Sequence, residues 1–267
     1  MHAQLTNYSM KHLKIYYKND IGFLSFDYDE RRNSLSTIFL QELYHALDEI
    51  CIKGIKVLII RANKGAKVWS AGVNIEELPK PGTDPVPYDH PLEVLVRRLQ
   101  KVKIPVIAMM EGSVWGGGCD IAFSCDLLIG TPQTTFAITP AKIGVPYNTN
   151  GILRVLNHVQ PNIAKELFFT AQPLSAQRAY ELGILNHLVE TEKLESYTVE
   201  IAQKIAANSP VAIAVIKRQI NLISGNKALS PSMIEEINRL REIAYNSNDY
   251  LEGIQAFKER RKPEFKG

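Results

Sequence analysis

An α/β fold with a helical C-terminal part is predicted by three features of this chain. Short apolar runs alternate with helical patterns through the first half, three successive glycines stand between an apolar run and a helix, and from about Ala164 onward the pattern is helical. A length of 267 residues with 45% hydrophobic and 22% charged content suits one large domain, or one domain with a small appendage, and argues against overall disorder.

Leu13 to Tyr17 and Ile21 to Phe26 read as two strands around the turn residues Asn19 and Asp20. Leu40, Leu43, Tyr44, Leu47 and Cys51 then recur at helical spacing and give the next segment one apolar stripe. Val57 to Ile60, Val106 to Met110 and Leu127 to Ile129 read as three further strands. Between Pro79 and Pro91 five prolines stand among glycine and aspartates, so this segment reads as an exposed loop whose length suits a cover over a functional site.

Farther on, Ser209-Pro210 and Ser230-Pro231 each place an N-cap serine before a proline at the first helical position. Ile234, Ile237, Leu240 and Ile243 form a narrow stripe on the second of these helices. Asp249 with Glu252 resembles a capping box opening a last helix, and the charged run Lys258 to Lys262 that ends it reads as a solvated face. The expected division is an α/β core over residues 1–205 and a helical region over 206–267.

A formal charge of +3 gives no argument for nucleic acid as a partner. Three cysteines, Cys51, Cys119 and Cys125, form no Cys-x-x-Cys pair, which suits a reducing compartment and buried free thiols. Cys119 adjoins the glycine run, but no partner base stands near it in sequence, so it is assigned to the core. The six histidines show no metal-ligand spacing, and no metal site is expected. With no apolar run approaching the roughly 18 residues of a membrane span and no signal-like N-terminus, the expected location is cytoplasmic.

The run Glu111-Gly112-Ser113-Val114-Trp115-Gly116-Gly117-Gly118-Cys119-Asp120 is the feature that points to chemistry. Glycines that open a helix strip side chains from a turn and leave backbone N–H groups for an anion or a developing oxyanion. No Lys with Ser or Thr follows them, which excludes a P-loop, and the spacing is not that of a dinucleotide fingerprint. A second glycine turn at Ser70-Ala71-Gly72-Val73-Asn74-Ile75 can supply another donor, and two N–H groups from separate turns are what an oxyanion hole requires.

On these two turns, together with Cys125-Asp126, Ile143-Gly144-Val145-Pro146, Ala176 with Ala179, Gly183-Ile184-Leu185 and the segment from Phe257 to Phe265, the chain resembles the crotonase (enoyl-CoA hydratase/isomerase) superfamily nearly end to end. The resemblance implies a crotonase-like spiral of repeated ββα units, a helical C-terminal trimerisation region, coenzyme A thioester substrates and an enolate held by the N–H groups of Val73 and Gly117. A hydratase of this family works with two glutamates, and this chain has Asp120 and Ala141 in their places, which disfavours hydration. Asp120 has a plain alternative as a first-turn carboxylate that complements the helix dipole.

A closer resemblance, to decarboxylating members of the superfamily, rests on Asp84-Pro85, Tyr88-Asp89-His90-Pro91-Leu92, Trp115 within the glycine run, Thr139-Pro140, Gly144-Val145-Pro146-Tyr147-Asn148 and Gly183-Ile184-Leu185-Asn186-His187. It implies loss of carbon dioxide from methylmalonyl-CoA or a close malonyl-type thioester to give propionyl-CoA. The carboxylate on the α-carbon then makes the enolate with no residue abstracting a proton and no cofactor besides the coenzyme A of the substrate itself. Tyr147 would hydrogen-bond the carboxylate or relay a proton. At the two positions where those members carry histidine and glutamate, this chain has Val73 and Asp120. The resemblance also sets coenzyme A against Arg32, Leu35 and the backbone of Ala71, with Phe257 and Arg260, reached from a neighbouring copy, beside the adenosine end. A hydratase or isomerase with an unusual residue set, or a non-catalytic acyl-CoA-binding homologue, stays open at this point.

Overall fold

The computed structural model describes residues 10–79, 84–224 and 230–266. In chain order the elements are β1 (Leu13–Lys18), β2 (Ile21–Phe26), β3 (Ser34–Leu35), α1 (Thr37–Ile52), β4 (Val57–Ala62), β5 (Val68–Ser70), β6 (Gly72–Val73), α2 (Pro91–Lys101), β7 (Val106–Met110), β8 (Ser113–Trp115) and α3 (Gly117–Ala122). There follow β9 (Leu127–Gly130), β10 (Thr135–Ala137), α4 (Thr149–Leu156), α5 (Pro161–Thr170), β11 (Leu174–Ser175), α6 (Ala176–Glu181), β12 (His187–Leu188), α7 (Leu194–Ala206), α8 (Pro210–Ser224), α9 (Pro231–Tyr245) and α10 (Asn248–Glu259).

Six strands form the main sheet in the order β1-β2-β4-β7-β9-β12. The β1–β2 hairpin is antiparallel, turning through Asn19 at φ +54°, and every later pairing in this sheet is parallel, with Phe23 beside Ile59 and Ile59 beside Ile107. Parallel strands need covered faces, which is why β7 is apolar along its length and β4 is apolar but for Arg61. Leu24, Phe26, Leu58, Ile60, Ala108 and Met110 face the cluster made with α1, α2 and α3. Alternate residues Phe23, Val57, Ile59, Ile107 and Met109 face the other way, against Leu194 and Ala202 of α7.

The main strands fall where the sequence puts them, with small extensions: β4 runs on through Arg61, a buried side chain that reaches Glu195 at 2.9 Å. The short strands were not read from the sequence. In particular, Ser113–Trp115 lies not in a turn but in the second sheet, between β5 and β10 in the order β11-β10-β8-β5, so the turn proper begins at Gly116.

Two expectations about side chains are corrected. Cys51 is exposed, because the buried face of α1 runs through Phe39, Leu43, Leu47 and Ile50, whereas Cys119 and Cys125 are buried as read. Asp249 does not open the last helix: α10 starts at Asn248, with Ser247 Oγ accepting the Tyr250 N–H at 3.3 Å. Asp249 instead lies buried and accepts from Ser209 Oγ at 2.8 Å and from the Lys266 N–H at 3.0 Å, tying the start of α8 to the C-terminal segment. Ser209 also caps α8, accepting from the Ala212 N–H at 3.1 Å. The expected boundary at 205/206 lies inside α7, before its last residue, Ala206. Of the stripe on α9, Ile237 is buried and Ile243 exposed, while the Ile234 side chain lies outside the described residues.

A buried cation fastens α8 to the sheet. Lys217 Nζ donates to Asp126 Oδ2 at 2.6 Å and to the Ile104 carbonyl at 2.9 Å, and the same Asp126 oxygen accepts the Val106 N–H at 2.7 Å. Removing one partner of such a pair leaves the other charge poorly solvated. Lys217→Met is therefore expected to lower stability by about 2–3 kcal/mol, discounted for the partial exposure of Asp126, as read from the shift of the urea midpoint.

Candidate active site

The site is built where two glycine turns meet. After β5, Ser70 Oγ donates to the Asn33 carbonyl at 2.8 Å and accepts the Gly72 N–H at 3.2 Å, while the Ala71 N–H donates to the Arg32 carbonyl at 3.0 Å. β6 pairs in parallel with β3, Val73 beside Leu35, and the Asn74 N–H donates to the Leu35 carbonyl at 3.4 Å. In a parallel ladder alternate N–H groups face the partner strand, so the Val73 N–H points away from β3. Gly72 has φ +87°, and a Cβ there would stand 2.6 Å from the Trp115 carbonyl oxygen and 2.9 Å from the Gly117 nitrogen.

Each of the three glycines answers a different constraint. Gly116 has φ +52° and ψ −123°, a conformation that L side chains avoid, and its N–H donates to the Ala137 carbonyl at 2.8 Å. A Cβ on Gly117 would lie 2.8 Å from Leu92 Cδ2, 3.1 Å from Val73 Cγ2 and 3.2 Å from Leu35 Cδ1. One on Gly118 would lie 2.9 Å from Ser70 Cβ. Gly117 is the first residue of α3, so its N–H has no acceptor within the helix.

One turn later α3 presents Asp120, which is 3% exposed and fully engaged. Its Oδ2 accepts the Tyr147 hydroxyl at 2.6 Å, and its Oδ1 accepts from Arg154 Nε at 2.9 Å and lies 2.9 Å from Nη2 in the same ion pair. Tyr147 also lies 3.2 Å from the Gly116 carbonyl oxygen. Its ring sits in the space left by Gly151 of α4, where a Cβ would overlap it, and packs on Phe168 at 5.2 Å between centroids. Arg154 continues the chain to Glu93 of α2, through Nη2 at 2.5 Å and Nη1 at 3.3 Å.

The charges in this cluster are set by burial. Burial pushes the Asp120 carboxyl above its ordinary range, opposed by the Arg154 charge and the bond from Tyr147. Burial, followed by the charge of Asp120, holds the Tyr147 phenol well above its ordinary value, so it stays protonated. Arg154 stays charged: burial works against it, and the bonds to Glu93 with the Asp120 charge more than offset that. The Cys119 thiol is pushed up by burial and then by Asp120, which keeps it an inert core group.

A cavity of about 110 Å³ opens onto this cluster. Of the residues singled out in sequence, Ala71, Val73, Gly117, Asp120 and Tyr147 line it together. Asp84, Pro85 and Val86 close one side, so the described part of the proline loop does border the site, while residues 80–83 lie outside the described residues. Leu35 does not line the cavity but packs behind Gly117. Arg32 is exposed with φ +55°, and it is the carbonyl, not the guanidinium, that touches the Ala71 turn. Arg260 is exposed at the end of α10, away from the cavity lining, and the Phe257 side chain lies outside the described residues. Ala141 is exposed on the turn after β10 and does not line the cavity.

Arg154 and Glu93 were not found from sequence. The only signal is a charged residue on a stripe otherwise made for packing: Glu93 among Leu92, Leu95, Val96 and Leu99, and Arg154 beside Gly151 and Val155. Among the described residues no group of three or more His, Cys, Asp or Glu is arranged to hold a metal ion.

The sequence profile of the enoyl-CoA hydratase/isomerase family matches residues 17–267. The chain is 42% identical to methylmalonyl-CoA decarboxylase of Escherichia coli K12 over 97% of its own length and 99% of that protein. It is 31% identical to a short-chain-enoyl-CoA hydratase of Clostridium acetobutylicum, over 87% of this chain and 88% of that one. Among solved structures, a methylmalonyl-CoA decarboxylase complexed with 2S-carboxypropyl-CoA superposes with a TM-score of 0.80 at 42% identity, covering 97% of this chain and 100% of that one. The two glycine turns thus sit within a match that spans nearly the whole chain, and the protein belongs to the enoyl-CoA hydratase/isomerase family.

Proposed function

We infer that this protein is a decarboxylase of the crotonase type, converting methylmalonyl-CoA or a close malonyl-type thioester to propionyl-CoA or its analogue. The observation that carries the reading is the side-chain set of the cavity. Two carboxylates line it, and neither is free to place a water as a hydratase pair does: Asp120 is held by Arg154 and Tyr147, and Asp84 accepts the Val86 N–H at 3.0 Å, while Ala141, in the sequence position of a hydratase's second glutamate, carries no carboxyl. The near full-length identity to the Escherichia coli decarboxylase supports the same choice.

In the proposed reaction the thioester oxygen accepts the N–H groups of Val73 and Gly117. As the bond from the α-carbon to the carboxylate breaks, its electron pair moves into the thioester and carbon dioxide leaves. The charge that gathers on the oxygen is what two preorganised donors stabilise, each worth about 3 kcal/mol. The α-carbon then needs a proton. Tyr147 holds one against Asp120, and burial biases that carboxyl toward its protonated form, so the pair can give the proton and regain it from solvent after product leaves. No cofactor beyond the coenzyme A of the substrate enters this chemistry.

Coenzyme A itself is proposed to run past the Ala71 turn, with Leu35 only backing that surface from behind Gly117, with Arg32 toward a phosphate and with Phe257 and Arg260 of a neighbouring copy at the adenosine end. That last contact requires an assembly, proposed as a homotrimer or a pair of trimers. Ile216, Ile220 and Ile223 of α8 are 52%, 58% and 50% exposed along one helical face, which supports a subunit contact there.

Purified protein is to be mixed separately with methylmalonyl-CoA and with crotonyl-CoA and both thioesters followed by chromatography. Propionyl-CoA from the first and no hydration of the second is the expected result. Methylmalonyl-CoA left intact would overturn the reading, whatever the protein binds.

A further inference from the structure

We propose that Arg154 and Glu93 are positioning residues for the reaction, one guanidinium shared between two buried carboxylates so that the Asp120–Tyr147 pair faces the cavity holding a transferable proton. The proposal rests on the decarboxylase reading above. Neither residue lines the cavity, and each acts through Asp120.

The geometry carries the argument. Three elements deliver the cluster: α3 with Asp120, α4 with Arg154 and α2 with Glu93, the three side chains being 4%, 6% and 1% exposed. Arg154 donates from Nε to Asp120 and from Nη1 and Nη2 to Glu93, with Nη2 also within ion-pair distance of Asp120. Asn150 adds a bond to Glu93 Oε2 at 3.2 Å, and Arg97, itself 25% exposed, stands 3.8 Å from that oxygen. Two carboxylates therefore divide one fully buried positive charge. Were Arg154 given to Asp120 alone, its carboxylate would be held ionised and would keep the Tyr147 proton to itself. Sharing with Glu93 weakens that hold while fixing Asp120 in place, which suits a group that must release and recover a proton without moving.

The titratable and charged groups acting on the pair are Arg154 from α4, Glu93 from α2 and Cys119 on its own helix. Removing the arginine takes away a positive charge and should move the loss of the pair's proton to higher pH. Removing the Glu93 charge leaves Arg154 to Asp120 and should move that loss to lower pH. Two shifts in opposite directions are a signature that a merely structural role does not produce.

The test uses the full chain as wild type, Arg154→Met, Arg154→Lys, Glu93→Gln and Tyr147→Phe. First, kcat and KM for methylmalonyl-CoA are measured from pH 5 to pH 10. Arg154→Met is expected to lower kcat about tenfold or more with KM changed less than about threefold, Arg154→Lys to recover part of the loss, and the alkaline limbs of Arg154→Met and Glu93→Gln to move apart. Second, 13Cζ-tyrosine NMR of ligand-free protein follows the Tyr147 resonance, identified by its absence in Tyr147→Phe, as a reporter of the proton lost from its partner Asp120, and the same opposed shifts are expected in its pH dependence. Limbs and resonances that stay in place, or move together, overturn the proposal. If Arg154→Met does not fold, Glu93→Gln, which keeps the shape and one of the two acceptor oxygens, decides alone: its limb and resonance must move to lower pH, and either one staying in place or moving up overturns the proposal. A wild-type protein without decarboxylase activity sinks the functional reading, and the resonance titration then decides the positioning role by itself.

Discussion

Gly72→Ala is expected to lower kcat for decarboxylation by on the order of 10²–10³-fold, the cost of losing one donor of the proposed oxyanion hole. The added methyl would stand 2.6 Å from the Trp115 carbonyl oxygen and 2.9 Å from the Gly117 nitrogen, both backbone atoms that have no rotamer to retreat into. The turns must separate, and the Val73 and Gly117 N–H groups separate with them. Backbone strain contributes too, since Gly72 has φ +87°. Gly54→Ala isolates that part: its φ is +69° and nothing lies within 4 Å of the added carbon, so it should cost about 1 kcal/mol of stability and leave kcat alone. Steady-state rates with far-ultraviolet circular dichroism of both variants decide the matter. A Gly72→Ala protein within threefold of wild type would mean that the contact between the turns does not set the donors.

Tyr147→Phe is expected to reduce kcat about 100-fold while KM stays within a few-fold, the scale on which a positioned acid acts. The phenyl ring keeps its place over Gly151 and against Phe168, so the change removes a hydroxyl and little else. What goes with it is the 2.6 Å bond to Asp120 and, in the proposed reaction, the proton for the α-carbon. Chromatography of propionyl-CoA formed per unit time reads the effect. An undiminished rate would take Tyr147 out of the chemistry and leave it a packed aromatic.

Much of this was legible in the chain. The five long strands were readable because continuous apolar runs bounded by turn residues leave few other solutions, and their edges slipped by a residue or two where a polar residue such as Arg61 is buried by pairing with Glu195. The two- and three-residue strands were not, since Ser34–Leu35 or Ser113–Trp115 has no periodicity to detect and exists only because another strand lies alongside. At the site, the glycines identified the turns, and Tyr147 and Asp120 fell in the same cavity as Val73 and Gly117. Arg154 and Glu93 stayed hidden, because a charge on an apolar stripe gives no indication of its partner 61 residues away. Asp249 misled for a related reason: Asp-x-x-Glu is a local pattern, and Ser209, distant in sequence, claimed the aspartate.

The three glycines differ in why they admit no side chain, and that limits how the pocket can be altered. Gly116 is fixed by torsion, Gly117 by the side chains of Leu92, Val73 and Leu35, and Gly118 by Ser70. A compensating change at Leu92 relieves only Gly117, and one at Ser70 only Gly118, while no neighbour can be trimmed to relieve Gly116. Retuning the pocket toward larger acyl groups therefore has to spare the glycines and work at lining side chains such as Val86 and Thr139, which border the same space from other parts of the chain.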